Sequence, residues 1–147
     1  MKTNNTIAEV QITYAPTKRK RVQITCSKDA EKCFRSFWNE YISYKESMYI
    51  LLLNRANVVL GYHLLSLGGT VGTIADVRIM MQLLIKSNAH GFILAHNHPS
   101  GNTKPSTEDF KLTKKVKEAT ELFDVKLLDH LIIASGSFLS MADEGLI

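Results

Sequence analysis

The stretch HNHPSGNTKPSTED, residues 96–109, places two histidines one residue apart and follows them with a serine and an aspartate. Just past a strand, an extended chain points side chains two apart to the same side, so His96 and His98 present two imidazoles together. Paired imidazoles of that kind suit one metal ion. Pro99 and Gly101 favour a tight turn, and Pro105 drives Lys104 extended before a helix begins. The chain then returns, with Asp109, eleven positions beyond His98, in the first helical turn.

Positions 109, 112, 116, 119 and 123 step by three or four and read Asp, Leu, Val, Ala, Phe. The carboxylate therefore heads an apolar stripe, where an acid without a partner is costly. The plainer reading is that Ser106-x-x-Asp109 is a capping box with Asp in place of the usual Glu. Joined to His-x-His at the preceding strand end, the same aspartate reads as a third ligand. Two imidazoles and a carboxylate form the N/N/O set that leaves zinc an open position for water, and no cysteine lies nearby to close it. Fe, Co or Mn also suit such a set. A metal-activated water needs a base, and Glu46 is the candidate because it shares strand parity with Met48, Ile50 and Leu52 at the rim of a buried face. From periodicity alone, a solvated residue at a strand start is the better reading of Glu46.

These residues need a scaffold. A chain of 147 residues, 45% hydrophobic, can bury one core, so a single domain over residues 1–147 is expected. No apolar run is long enough to span a membrane and the start, MKTNNTIAEV, lacks secretory architecture, which makes a cytoplasmic protein the expectation. Cys26 and Cys33 match neither a metal knuckle nor a CxxC pair and read as reduced packing residues. A net charge of +4 is compatible with a nucleic-acid partner without requiring one. The densest basic run, Lys18 to Arg21, reads as a solvated hairpin turn between strands at about 8–14 and 21–26.

Ser27 should cap a helix whose apolar face holds Ala30, Cys33, Phe34, Phe37, Trp38 and Tyr41, covering this sheet or a neighbour's. ESMYILLLN, 46–54, is apolar on both alternations, the mark of a strand covered on two sides, and RAN turns it into VVLGYHLLSL. A helix is predicted over 74–87 with Val77, Met80, Met81 and Leu84 inward, then a buried strand over 91–95, a helix over 106–123, and strands over 126–134 and 138–141. Strands and helices alternate without strict rhythm, which predicts an α/β fold with a mixed sheet flanked by helices.

His96-x-His98, ten intervening residues and Asp109, with Ser106 three before it and a glutamate upstream, resembles the JAMM motif of the JAB/MPN metalloproteases. LAHNHPSGNTKPSTEDFKLTKKVKEA, LLDHLII and SFLSMADEGLI resemble the RadC-like branch, formerly labelled DNA-repair proteins, from about Glu46 onward. The resemblance implies a JAB/MPN core over 46–147 of cytidine-deaminase-like architecture, preceded over 1–43 by the hairpin and helix. It implies one Zn²⁺ per chain on His96, His98 and Asp109, Glu46 as general base, and Ser106 donating to an oxyanion. Arg78 matches a family arginine, with a helix-surface ion pair as its plain alternative. Asp129 and His130 also match, but strand neighbours point to opposite faces, so they read as supporting or core polar groups.

The implied activity is hydrolysis of an amide or isopeptide bond in a peptide or protein conjugate. The alternative is a DNA-associated protein of repair or recombination. Longer members of the branch carry a helix-hairpin-helix region, and residues 1–43 here differ from it, which weakens the DNA reading. A third reading, a metal-free scaffold, has no need of the intact ligand set.

Overall fold

The computed structural model describes residues 7–11, 13–38, 42–68 and 75–147. Its elements in chain order are α1 (Ser27–Phe37), β1 (Ser47–Leu53), β2 (Val59–Leu67), α2 (Val77–Lys86), β3 (Gly91–Asn97), α3 (Thr107–Glu121), β4 (Lys126–Ile133) and β5 (Phe138–Ser140). The strands form one sheet in the order β2-β1-β3-β4-β5. Only β3 and β4 run parallel, and the other neighbours are antiparallel. A parallel pair needs a crossover, which α3 supplies, so the motif loop is the outgoing arm of that crossover at the C-terminal end of β3.

Every residue of β1 and β3 is buried, as their apolar runs on both alternations predict. On one face Met48, Ile50, Leu52, Phe92 and Leu94 pack with Met80 and Leu84 of α2 and Val116 of α3. On the other, Tyr49, Leu51, Leu53, Ile93, Ala95, Leu131 and Ile133 pack with Ala30 and Phe34 of α1. Each such side chain removed from water contributes on the order of 1.5–3 kcal/mol, which is why both layers stay on the sheet. The expected turn between β1 and β2 is present: the Asn54 side chain accepts the N–H groups of Ala56 and Val58, and Asn57 takes φ 57°.

Several expectations are corrected. The hairpin over 8–14 and 21–26 does not form among the described residues, where Gln23 makes a single antiparallel bridge to Val58. Lys18, Arg19 and Lys20 are exposed, as a solvated run should be, but on no hairpin turn. Cys26, not Ser27, is the N-cap residue of α1, and Ser27 Oγ instead donates to Asp143 at 2.5 Å. Asp29 accepts the Thr25 N–H at 2.9 Å in the place of a side-chain cap. Cys33 packs against the α1 face of the core as expected, but Cys26 is exposed. Tyr41 and residue 74 lie outside the described residues.

The buried face of α3 is Thr113, Val116 and Thr120, with Leu112 partly buried beside it. Phe123 is 56% exposed, because α3 ends at Glu121 with Leu122 as its C-cap and the chain has left the helix before Phe123. Among the described residues no helix is long and apolar enough to cross a membrane.

Candidate metal centre

β3 extends through Asn97, so His96 lies inside the strand and His98 just beyond it, where the sequence places both past the end. The His98 N–H donates to the Ile133 carbonyl of β4 at 2.9 Å, which prolongs the extended path by one residue and keeps both rings on one side. The Gly101 N–H then closes a turn onto the His98 carbonyl at 3.0 Å, with Gly101 at φ 85°, a conformation that disfavours any side chain. The two imidazoles meet with their Nε2 atoms 2.9 Å apart.

Asp109 faces both. Its Oδ1 lies 3.2 Å from His96 Nε2 and its Oδ2 3.6 Å from His98 Nε2. The capping box is also present: Ser106 Oγ accepts the Asp109 N–H at 3.2 Å, and Asp109 Oδ2 accepts the Ser106 N–H at 2.7 Å. The two readings of Asp109 are therefore one arrangement. The cap fixes the carboxylate at the start of α3, where helix dipole and backbone donors favour negative charge, and the fixed carboxylate is aimed at the histidines. Burial opposes its ionisation, but the His96 and His98 rings when protonated, and the Ser106 N–H, outweigh it. The carboxyl is held well below the usual carboxylate range.

A relay of partners assigns the tautomers. Thr113 Oγ1 donates its one proton to the Asp109 carbonyl at 2.6 Å, so at its 2.7 Å contact with His130 Nδ1 the ring must donate. His130 is fully enclosed, and burial first, then the charge of His96, pushes its pKa down to about 3. A neutral His130 with its proton on Nδ1 accepts at Nε2, and there it meets His96 Nδ1 at 2.8 Å. His96 Nε2 is left with a bare lone pair. His98 Nδ1 faces the Asn102 carbonyl at 2.7 Å and must donate to it, which leaves His98 Nε2 bare as well.

Two lone pairs and a carboxylate aimed at one place require positive charge among them. A proton supplies the smallest amount, and His98 is set to take it: the Asp109 hydrogen bond raises its pKa more than burial lowers it. A divalent ion supplies more and uses all three groups. Ligands at about 2.0–2.2 Å on a tetrahedral ion stand roughly 3.3–3.5 Å apart. The separations here are comparable, 2.9 Å between the two Nε2 atoms, 3.2 Å from His96 to Asp109 Oδ1 and 3.6 Å from His98 to Asp109 Oδ2, a different carboxylate oxygen facing each ring, so the donors suit one small cation.

Glu46, half-buried at the entry to β1, completes the cluster. Its carboxylate and the ligand nitrogens of His96 and His98 all lie within 4.8 Å of one another, a group that could hold a metal ion. Met48 of β1 pairs with His96 of β3, which brings Glu46, two residues earlier on the same side, over the ring pair. Ser106 is exposed at the mouth, and since its oxygen accepts from Asp109, its own proton is free to donate outward. Arg78 is exposed on α2 and makes no ion pair among the described residues, so its alternative reading is not met.

Asp129 and His130 divide as strand parity requires. His130 backs His96, whereas Asp129 accepts Ser140 Oγ at 2.5 Å and the Ala142 N–H at 3.0 Å, clasping the turn after β5. Asn97 is among the buried polar residues that reading from sequence missed, with Ser47 and Thr113. Its parity with Ile93 and Ala95 turns it into the α1 side of the sheet, where an amide must find partners, and that mismatch was the available signal.

A mixed five-stranded sheet with two histidines and two carboxylates gathered where its third strand ends is an α/β domain built around a candidate metal centre. The family model for the RadC-like JAB domain matches residues 24–146, and the chain belongs to that family. It is 45% identical over 124 residues to a UPF0758 protein of Flavobacterium johnsoniae, covering 84% of this chain and 53% of that one. A UPF0758 protein of Porphyromonas gingivalis is 41% identical over 129 residues, with 87% and 56% covered. One from Aquifex aeolicus is 31% identical over 120 residues, with 82% and 52% covered. The chain spans about half the length of the curated relatives it matches.

Proposed function

We propose that this domain hydrolyses amide or isopeptide bonds of a peptide or protein conjugate, using one zinc ion held by His96, His98 and Asp109. The observation that carries the reading is the convergence of two imidazole nitrogens, each bare because its ring partner is fixed, on a capped carboxylate, with a second carboxylate within 4.8 Å of the nitrogens. A closed structural site would use all its ligands; here one acid is held by the helix cap and the other is left over for proton transfer.

Bound there, the ion supplies Lewis acidity and makes water a nucleophile near neutral pH. Glu46 takes a proton from the attacking water and returns it to the amide nitrogen as the C–N bond breaks, leaving a carboxylic acid and an amine. Ser106 directs its hydroxyl proton at the carbonyl oxygen, where negative charge grows during attack. His130 stays neutral and holds the His96 ring in its tautomer. The basic run Lys18 to Arg21, exposed but for the half-buried Arg21, is what a DNA-associated role would use, and it joins no helix or strand.

The test is a screen of zinc-loaded protein against a mixed peptide library and isopeptide-linked conjugates, with Glu46→Gln alongside. Cleavage by the unaltered protein, lost in Glu46→Gln at unchanged zinc content, supports the reading. Equal cleavage by both proteins removes Glu46 from the mechanism.

A further inference from the structure

His96 and His98 face one side of β3, and the residue between them faces the other. Asn97 is 0% exposed, and its amide uses its full capacity of two donors and two lone pairs. Nδ2 donates to the Ile42 carbonyl at 2.7 Å and the Lys45 carbonyl at 2.8 Å. Oδ1 accepts the Ser47 N–H at 2.7 Å and the Ser47 hydroxyl at 3.2 Å. These partners lie on the approach to β1 and at its first residue, and Lys45 and Ser47 flank Glu46. The Glu46 carbonyl in turn accepts the Gly68 N–H at 2.6 Å.

A residue serving only the core at this position would be apolar, as Ile93 and Ala95 are on the same face of the strand. An amide in that place is costly unless it is fully paired, and here the pairing falls on the peptide groups either side of one acid. We propose that Asn97 is the positioning residue for Glu46. It ties the segment that carries the base to the strand that carries the ligand pair, so that base and ligands hold one geometry. This rests on the reading of Glu46 as the base.

The test uses the whole chain loaded with Co²⁺ and acetohydroxamic acid as the probe, read by the visible spectrum. The probe binds such ions as its anion, and a neighbouring carboxylate takes its proton. Glu46→Gln should weaken the probe roughly tenfold, the worth of one charge-assisted hydrogen bond. Asn97→Ala should keep one Co²⁺ per chain and weaken the probe to a similar extent. In the double variant the two losses should not add, because one residue acts through the other. Amide exchange over residues 42–48 should quicken in Asn97→Ala.

Full additivity, or unchanged probe affinity in Asn97→Ala, overturns the proposal. Should that variant fail to fold, the unaltered protein still decides: its Ser47 amide must exchange as slowly as the amides of β3, and loop-like exchange there overturns the strap. Absence of Co²⁺ binding by the unaltered protein overturns the metal reading, and the strap then stands or falls on the exchange measurement.

Discussion

His130 Nε2 lies 2.8 Å from Nδ1 of His96, and that contact decides which nitrogen of His96 is available to the site. The His130 ring is in turn oriented by Thr113, whose hydroxyl is spent on the Asp109 carbonyl. A core polar chain thus runs from one candidate ligand to the backbone of another. Replacing His130 with Ala should lower zinc affinity about 10–100-fold, with His96, His98 and Asp109 all still present. It should also cost on the order of 1–3 kcal/mol of stability, because the His96 Nδ1–H loses its partner in the interior. Competition with a chelator checks the first effect and urea unfolding the second.

Ser106 and Asp109 share the capping box but should separate on mutation. Ser106→Ala removes the acceptor for the Asp109 N–H and should cost about 1 kcal/mol of stability. Zinc content should be unchanged while turnover of any cleaved peptide falls about 10²–10³-fold, the usual worth of one oxyanion donor. Zinc analysis and single-turnover rates on one preparation distinguish the two roles.

Protons and zinc compete for the same lone pairs. The hydrogen bond that protonated His98 donates to Asp109 raises the His98 pKa above that of a free imidazole, so acid should begin to displace the ion at a higher pH than an isolated histidine would require. His130, pushed down to about 3, stays neutral in the folded chain through that window, but it takes up a proton on unfolding below the free-imidazole value and so lowers stability as pH falls. In the zinc-free protein the sign reverses. A raised His98 pKa contributes stability that is full below the unfolded value and lost as pH rises through the folded one. Equilibrium dialysis from pH 5 to 8 checks the effect on zinc, and the difference in urea midpoint between zinc-free unaltered protein and zinc-free His98→Ala over the same range isolates the opposite His98 slope.

Much of this was legible in the residues. β1 and β3 declare themselves through apolar runs on both alternations, and the spacing of His96, His98 and Asp109 forecasts their convergence, because a turn and a proline-primed helix leave the chain few other paths. The N-terminal segments were misjudged for a physical reason. EVQITY and RVQITC alternate, but no layer covers their apolar parity: Val10 is 88% and Val22 51% exposed while Ile24 is buried, and among the described residues the segments keep one bridge, from Gln23 to Val58. Phe123 was misplaced because periodicity does not see that the helix ends two residues before it, at Glu121. Asn97 and His130 were harder, since a buried polar partner has no repeat and is visible only as a polar residue at an apolar parity.

Arg35 ties α1 to the turn between β4 and β5, donating to the carbonyls of Ala134 at 2.9 Å, Ser137 at 3.2 Å and Ser135 at 3.4 Å while pairing with Glu31. Arg35→Ala should destabilise the fold by about 1–3 kcal/mol and leave zinc content untouched. Urea unfolding together with metal analysis checks both halves, and a loss of zinc would mean that α1 bears on the site.

The most direct measurement is the metal content of purified protein by mass spectrometry, for the unaltered chain, His96→Ala and Asp109→Ala. About one divalent ion per chain is expected in the first and little in either variant, while both remain folded by circular dichroism. Metal content unchanged in the two variants, or none in the unaltered chain after incubation with zinc, would contradict the site as described.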